Sequence, residues 1–358
     1  MASSFNIFGL GKPKSYLGVD IGTLSIKVVE LSNENGRPKL ENYGILSDYG
    51  LAAADFLQNG QVQQTQKVFG GQAAAMLKKL FMKTGIAVPE TNMSVPIFSS
   101  FLTVMELPAM PEAELSSAIQ FEAKKYVPVP LDSVVVDWSL VGANAENKVQ
   151  VLLIAIPKEL INEYSTIARE ANLKLLNIEL ETVSAARSLI GNDPTPSVLI
   201  DMGHRDTTIS IVDRAFLRIS HSVETSGEDL TRALSQNLNV SWRRAEELKK
   251  QNGIKAINSN DQMIKVLTPM IDIIADAASN VIDLYISRSK KKVEKLIVYG
   301  GAAKMPGFAE YISNRLKIDF TVGNPFGRIN YPEKLKSAIK EIGHEFSVAI
   351  GLALKALQ

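Results

Sequence analysis

Apolar residues along this chain fall into short blocks, some continuous and some spaced for a helix. Tyr16 to Leu31 reads as two apolar strands joined by a tight turn that carries Asp20, Gly22, Thr23 and Ser25. Residues 61–84 place Val62, Val68, Phe69, Ala73, Met76, Leu77 and Leu80 at helical spacing, with Gly85 as a stop. A short strand follows at Asn92–Phe98. Phe101–Leu107 predicts a strand closed by Pro108 and Pro111. Glu112–Tyr126 predicts an amphipathic helix with Leu115, Ala118 and Ile119 on one face, stopped before Pro128 and Pro130. Strands at 134–141 and 148–156, a helix at 158–171 and a strand at 173–178 complete a βαββαβ order. That order predicts a small sheet with two helices on one face, inserted into a larger domain.

Glu181–Ile190 is a small-residue helix ended by Gly191-Asn192-Asp193-Pro194. Ser197–Asp213 then repeats the opening theme: Val198–Asp201, a turn with Gly203, and Ile209–Val212. Helices are expected at 226–238, 241–252 and 261–289. A buried strand at Leu296–Tyr299 runs into Gly300-Gly301, followed by helices at 306–316 and 346–357. The alternation predicts an α/β protein, and the repeated strand–Asp–x–Gly–turn–strand suggests two related halves.

Composition narrows the picture. The 358 residues are enough for two domains, and the net charge of +1 offers no broad basic field for nucleic acid. The chain has no cysteine, which removes thiolate chemistry and disulfides and fits a reducing compartment. No segment approaches the roughly 20 apolar residues of a membrane span. Phe5, Ile7, Phe8 and Leu10 precede Gly11-Lys12-Pro13-Lys14, an order unlike a signal peptide, so residues 1–15 are expected to form a frayed tail or a short surface contact.

Three segments carry candidate chemistry. In the turn after Asp20, glycine allows close backbone approach to phosphate, Thr23 and Ser25 add hydroxyls, and the carboxylate can hold Mg2+ through water. The alternative is ordinary hairpin chemistry. Asp201-Met202-Gly203-His204-Arg205-Asp206-Thr207-Thr208 is the second such turn. Tyr299-Gly300-Gly301-Ala302-Ala303-Lys304-Met305 is the third segment, a bare backbone against which a base or ribose fits, or else a plain strand-to-helix loop. His204, His221 and His344 lack the spacing of a metal site. Gly9-Leu10-Gly11-Lys12 has no preceding strand and the wrong glycine spacing for a P-loop. The basic run Arg288, Lys290, Lys291 and Lys292 reads as a solvated helix end.

Taken in this order, the three segments resemble the phosphate-1, phosphate-2 and adenosine motifs of the actin-like ATPase superfamily. Ala245-Glu246-Glu247-Leu248-Lys249 resembles its Ala-Glu-x-x-Lys helix. Within it the chain resembles the PilM family of type IV pilus assembly. That match rests on Asp20-Ile21-Gly22 running into Ile26–Leu31, and on Leu107-Pro108-x-Met110 followed by Glu114-Leu115, Ala118-Ile119, Glu122-Ala123 and Tyr126-Val127-Pro128. The resemblance implies a bilobed actin-like (ribonuclease H-like) α/β fold with an inserted FtsA-type subdomain. It divides the chain into a tail at 1–15; subdomain 1A at 16–99 with 179–196 and 340–358; subdomain 1C at 100–178; subdomain 2A at 197–225 with 293–339; and subdomain 2B at 226–292.

It also implies ATP and Mg2+ as cofactors, the metal held by Asp20 and Asp201. The nucleotide contacts it implies are Asp20, Gly22, Thr23, Leu24, Ser25 and Lys27 on one side. Across the cleft they are Asp201, Gly203, His204, Arg205, Asp206, Thr207 and Gly227, then Glu246 and Lys249, and finally Gly300, Gly301, Ala302 and Met305. The implied partners are the N-terminal cytoplasmic peptide of a PilN-like inner-membrane protein, docked beside the inserted module, and other pilus platform and motor proteins, with a possible homo-oligomer. The implied location is cytoplasmic, peripheral to the inner membrane. His204 and Arg205 stand where hydrolytic relatives have glycines, which implies weak or no ATPase activity. Asp20, Asp201 and Glu181 are the candidate catalytic groups, although a glutamate at a helix start is ordinarily a dipole-stabilising surface residue. The alternatives are a polymerising FtsA-like protein and a small-molecule kinase of the same superfamily.

Overall fold

The computed structural model describes residues 14–47, 65–143, 148–255, 262–301 and 303–357. β1 (Ser15–Ile21), β2 (Ser25–Glu34) and β3 (Arg37–Ser47) form an antiparallel meander. Helix α1 (Thr65–Thr84) leads to β4 (Glu90–Val95), which lies parallel beside β1. The start of the expected 61–84 helix and the N-terminal apolar tail lie outside the described residues. A 3-10 turn at Ile97–Ser99 follows β4.

β5 (Phe101–Leu107), α2 (Glu112–Tyr126), β6 (Val134–Ala143) and β7 (Val149–Pro157) then build a separate three-stranded sheet of order β5-β7-β6. Helix α2 covers it: Leu115 and Ile119 of the predicted stripe, together with Ala123, pack on Met105, Val151, Leu153 and Ala155, while Ala118 is half-buried. Here the structure corrects the βαββαβ expectation. Helix α3 (Lys158–Glu170) and strand β8 (Lys174–Leu180) leave this sheet, and β8 pairs parallel with β4. Tyr164, Ile167, Ala168 and Ala171 share a core with Leu17, Val19, Val28 and Met93. A parallel β4–β8 pair needs a crossover helix. α3 is that helix, and the small sheet is inserted ahead of it. Helix α4 (Glu181–Leu189) follows β8 directly.

The second half repeats the plan. β9 (Ser197–Met202), β10 (Thr207–Asp213) and β11 (Phe216–Val223) form a meander. Helices α5 (Gly227–Leu238), α6 (Trp242–Asn252) and α7 (Gln262–Ser289) follow. β12 (Lys295–Tyr299) lies parallel to β9, and after α8 (Phe308–Leu316) β13 (Phe320–Val322) lies parallel to β12. The two five-stranded sheets therefore have one strand order, β3-β2-β1-β4-β8 and β11-β10-β9-β12-β13. The echo in the sequence is a duplicated architecture with a lobe around each sheet.

The chain returns to the first lobe earlier than the resemblance implies. Asn330 exchanges backbone hydrogen bonds with Pro38 and Leu40, and Phe326, Ile329 and Ile339 pack on Val29, Leu31 and Leu40. Helix α9 (Lys336–Ile342) leads through a 3-10 turn at Gly343–Phe346 into α10 (Ser347–Lys355). α10 is apolar on every side because it threads between β1 and α4 at backbone contact. A Cβ on Gly18 would lie 2.0 Å from the Ala349 carbonyl oxygen, and one on Gly351 would lie 1.8 Å from that of Ser184. The lobes meet across a shared apolar layer that includes Ala185 and Leu352 from the first and Leu199, Ile297 and Tyr299 from the second.

Candidate functional site

The two Asp-x-Gly hairpins are built alike. Their last paired residues are Ile21↔Ile26 and Met202↔Thr207. In each turn the glycine N–H donates to the carbonyl three residues on: Gly22 to Ser25 and Gly203 to Asp206, both at 3.0 Å. Each hairpin thus carries an aspartate at the end of its first strand. Asp20 is buried beside Ser94, whose hydroxyl donates to Oδ1 at 3.2 Å, and its cross-strand partner Lys27 lies 3.8 Å from Oδ2. Asp201 accepts from the phenol of Tyr299, its register partner on β12. Gly300 sits at φ +84°, and a Cβ there would be 2.0 Å from Asp201 Oδ1. Only glycine lets the third segment pass this close to the carboxylate.

Four carboxylates face one another across the lobes. Burial first, then Asp206 and Asp20, push Asp201 up to about 7, with Lys27 and Tyr299 pulling the other way. Glu181 is pushed well above an ordinary glutamate, by burial first and then by Asp201 and Asp206; the Ile97 N–H, donating to its Oε1 at 3.0 Å, offsets part of this. Burial also raises Asp20 against the pull of Lys27 and Ser94, and Asp206 against hydrogen bonds from Thr208 and Ser222. Glu181 and Asp201 keep part of their surface open to solvent even though protein surrounds them. Such a group of like charges favours either shared protons or a cation. Among the described residues no three His, Cys, Asp or Glu side chains stand close enough to enclose a metal ion by themselves. Hard oxygen donors that supply one or two ligands and leave the rest to water and phosphate fit Mg2+.

A second group lies beside the turn at 203–206. Lys249 is buried; its ammonium donates to the Gly227 carbonyl and Thr231 Oγ1, and pairs with Glu246 Oε2, each at 2.7 Å. A Cβ on Gly227 would be 3.1 Å from the Gly203 carbonyl oxygen, so the glycine permits turn, helix and lysine to converge. The turn is tied to the head of α5: Gly227 N–H donates to Gly203 O and Glu228 N–H to His204 O, both at 3.0 Å. His204 Nε2 also lies 3.2 Å from Glu228 Oε2, while Arg205 is exposed. Other expected residues lie differently. Thr207 is buried and donates to the Thr225 carbonyl at 2.7 Å, and Met305 is buried in the second-lobe core. Thr23, Leu24 and Gly301 are exposed, and Ala302 lies outside the described residues.

A groove of about 320 Å³ adjoins the cluster, and none of the four carboxylates lines it. Its walls come from both lobes: Ile97, Phe98, Leu102 and Tyr126 on one side, His221 and Ser222 of β11 on the other. Phe98 and Tyr126 are exposed aromatic rings at its edge.

Comparison with known proteins identifies this arrangement. A family model described as type IV pilus assembly protein PilM matches residues 18–357. The chain belongs to the PilM family. A solved PilM-PilN type IV pilus biogenesis complex contains a chain of similar structure, with a TM-score of 0.80 at 21% identity, covering 96% of this chain and 98% of that one. The ethanolamine utilization protein EutJ of Carboxydothermus hydrogenoformans matches with a TM-score of 0.57 at 18% identity, over 96% of this chain and 90% of that one. Among curated sequences, the cell division protein FtsA of Enterococcus faecalis is 22% identical over 345 residues, 84% of this chain and 76% of FtsA. FtsA of Bacillus subtilis is 22% identical over 348 residues, 87% and 78% of the two chains. The bilobed actin-like fold with FtsA-type relatives is as expected from the motifs.

In this PilM-family chain some contributors to the site carried little signal in the sequence. Ser94 and Ser222 lie outside the three candidate segments, and Thr208 and Tyr299 stand inside them with no role of their own, yet each hydrogen-bonds a cluster carboxylate. The pairing of β4 with β1, of β12 with β9, and of β10 with β9 and β11 is what gathers them.

Proposed function

We propose that this chain binds Mg-ATP between its lobes and acts as a cytoplasmic scaffold of the type IV pilus inner-membrane platform. In this reading the N-terminal peptide of a PilN-like membrane protein docks in the groove between Tyr126 and Ser222, in a nucleotide-sensitive way. The observation that carries it is the apposition of two Asp-x-Gly turns of like backbone geometry with a group of four carboxylates. Asp20 and Asp201 would hold a hydrated Mg2+, which neutralises the cluster and draws the phosphates in. The turn residues Gly22, Thr23, Leu24 and Ser25 on one side, and Gly203, His204, Arg205, Asp206 and Thr207 on the other, would frame the phosphates, with Lys27 adding positive charge. Gly227, Glu246, Lys249, Gly300, Gly301 and Ala302 would form the adenosine side, with the Met305 side chain packed into the second-lobe core. Burial, then Asp201 and Asp206, raise Glu181 well above an ordinary glutamate and so disfavour the charged form a general base needs, which supports slow or absent turnover. No helix among the described residues is long and apolar enough to cross a membrane. Recruitment to the inner membrane would run through the partner peptide, and other platform and motor proteins would assemble on the same chain.

The test is calorimetric titration of the full chain. Mg-ATP should bind the wild type, and Asp20→Ala should weaken it by at least about tenfold, the loss expected for one charge-assisted metal contact. The peptide should bind, and Tyr126→Ala should weaken it by about tenfold, as truncation of an aromatic anchor does. A wild type that ignores Mg-ATP, or an Asp20→Ala variant that binds it normally, would sink the nucleotide half. Peptide affinity indifferent to Tyr126 would move the partner elsewhere.

A further inference from the structure

The groove and the carboxylate cluster are back to back, joined by two hydrogen-bonded links. On the first lobe, Ile97 lines the groove, and its backbone N–H donates to Glu181 Oε1 at 3.0 Å. On the second lobe, Ser222 lines the groove with its hydroxyl 3.1 Å from Thr208 Oγ1, and Thr208 Oγ1 donates to Asp206 Oδ2 at 3.1 Å. Ser222 also hydrogen-bonds Asp206 itself, so β11 reaches that carboxylate both directly and by way of Thr208. Thr208 in turn stands opposite Asp201 in the β9–β10 register. One wall of the groove in each lobe is thereby fixed to one carboxylate of that lobe. The distance across the groove and the distance across the carboxylates are both set by the separation of the lobes.

We infer that a peptide in the groove and nucleotide between the lobes bind with positive cooperativity, transmitted through Ile97–Glu181 and Ser222–Thr208–Asp206. The inference rests on the function proposed above and names how its two sites communicate. An occupant that touches both walls holds β11 at a set distance from the 97–103 segment. It removes lobe motion that a nucleotide would otherwise have to quench, so the second ligand meets a lower entropic cost. Linkage makes the effect mutual: each ligand tightens the other by one and the same factor.

The experiment measures the Mg-ATP dissociation constant of the full chain with and without a saturating N-terminal peptide of the host's PilN-like protein. It is run in the wild type, Thr208→Val and Ser222→Ala, each first checked by thermal melting. The wild type should bind Mg-ATP about tenfold more tightly with peptide present, within the usual range of coupling between sites. Thr208→Val keeps every groove wall and removes the indirect arm of the link, so it should lower the ratio; Ser222→Ala removes both arms and should bring the ratio to within about twofold of unity, each ratio being taken at a peptide concentration that saturates that variant. A wild-type ratio of one, a weakening by peptide, or variants that keep the wild-type ratio would each overturn the coupling while leaving both sites standing. If the wild type fails to bind either ligand, the proposed function falls, and the coupling falls with it.

Discussion

Arg187→Ala should destabilise the protein by about 3–5 kcal/mol and lower its Tm by about 10 °C. Arg187 makes a two-pronged pair with Glu179, to Oε1 and to Oε2 at 3.0 Å, and donates to the Gly351 carbonyl at 2.9 Å. Glu179 is 8% exposed and also accepts from Ser184 and from Lys355. Burial alone would raise its pKa. The hydrogen bond and charge of Arg187, then Lys355 and Ser184, outweigh burial and hold it below an ordinary glutamate. Removing Arg187 strands most of that charge in the joint where β8, α4 and α10 meet. The wide spread of consequences follows from geometry: α10 is already at backbone contact with Ser184 through Gly351, so the joint has no room to reorganise. Glu181, two residues beyond Glu179, loses its placement as well. Arg187→Leu combined with Glu179→Leu should recover most of the loss, because a paired deletion leaves no unpaired carboxylate. Denaturant unfolding of the single and double variants decides it. A single variant within about 1 kcal/mol of wild type would mean that water already serves Glu179.

The motif ladder at Asp20, Asp201 and Gly300 was legible because each piece is local: an apolar strand, an aspartate, a glycine turn. What a local pattern cannot state is which sheet a strand joins. Lys174–Leu180 reads as the last strand of a βαββαβ module, and only its pairing with β4 returns it to the first sheet. β3 and β11 carry little strand signal because they are edge strands with polar residues such as Lys39, Glu41, His221 and Ser222. Glu181 illustrates the limit most clearly. At a helix start its side chain suits the macrodipole, and nothing in the neighbouring residues says that Asp201 and Asp206 approach from the other lobe. Met305 errs the other way, since its place in the adenosine motif conceals a side chain packed into the second-lobe core.

Asp201→Asn should make the nucleotide-free, metal-free protein more stable at pH 8 while weakening Mg-ATP binding by about tenfold or more. Native Asp201 keeps its proton up to about pH 7, whereas an unfolded aspartate releases it near 4. Between those values the folded state binds more protons than the unfolded state, so stability falls as pH rises through this window and stays low above it. At pH 8 the native protein must carry the charge beside Asp20, Asp206 and Glu181. Asparagine has the same shape, still accepts from the Tyr299 phenol and carries no charge. Its advantage should be absent near pH 3, grow from pH 4 to 7, and level off at about 2 kcal/mol once the partial solvent access of Asp201 is discounted. Melting curves of both proteins in EDTA across this range provide the check. A variant less stable than wild type at pH 8 would mean that the charged aspartate is held by structural partners and has no unmet need for a cation. The opposite signs of the two effects, stability gained and ligand lost, distinguish a carboxylate kept for a bound metal from one kept for the fold. Within this cluster Asp20, which already has Lys27 and Ser94, should gain less from the same replacement than Asp201.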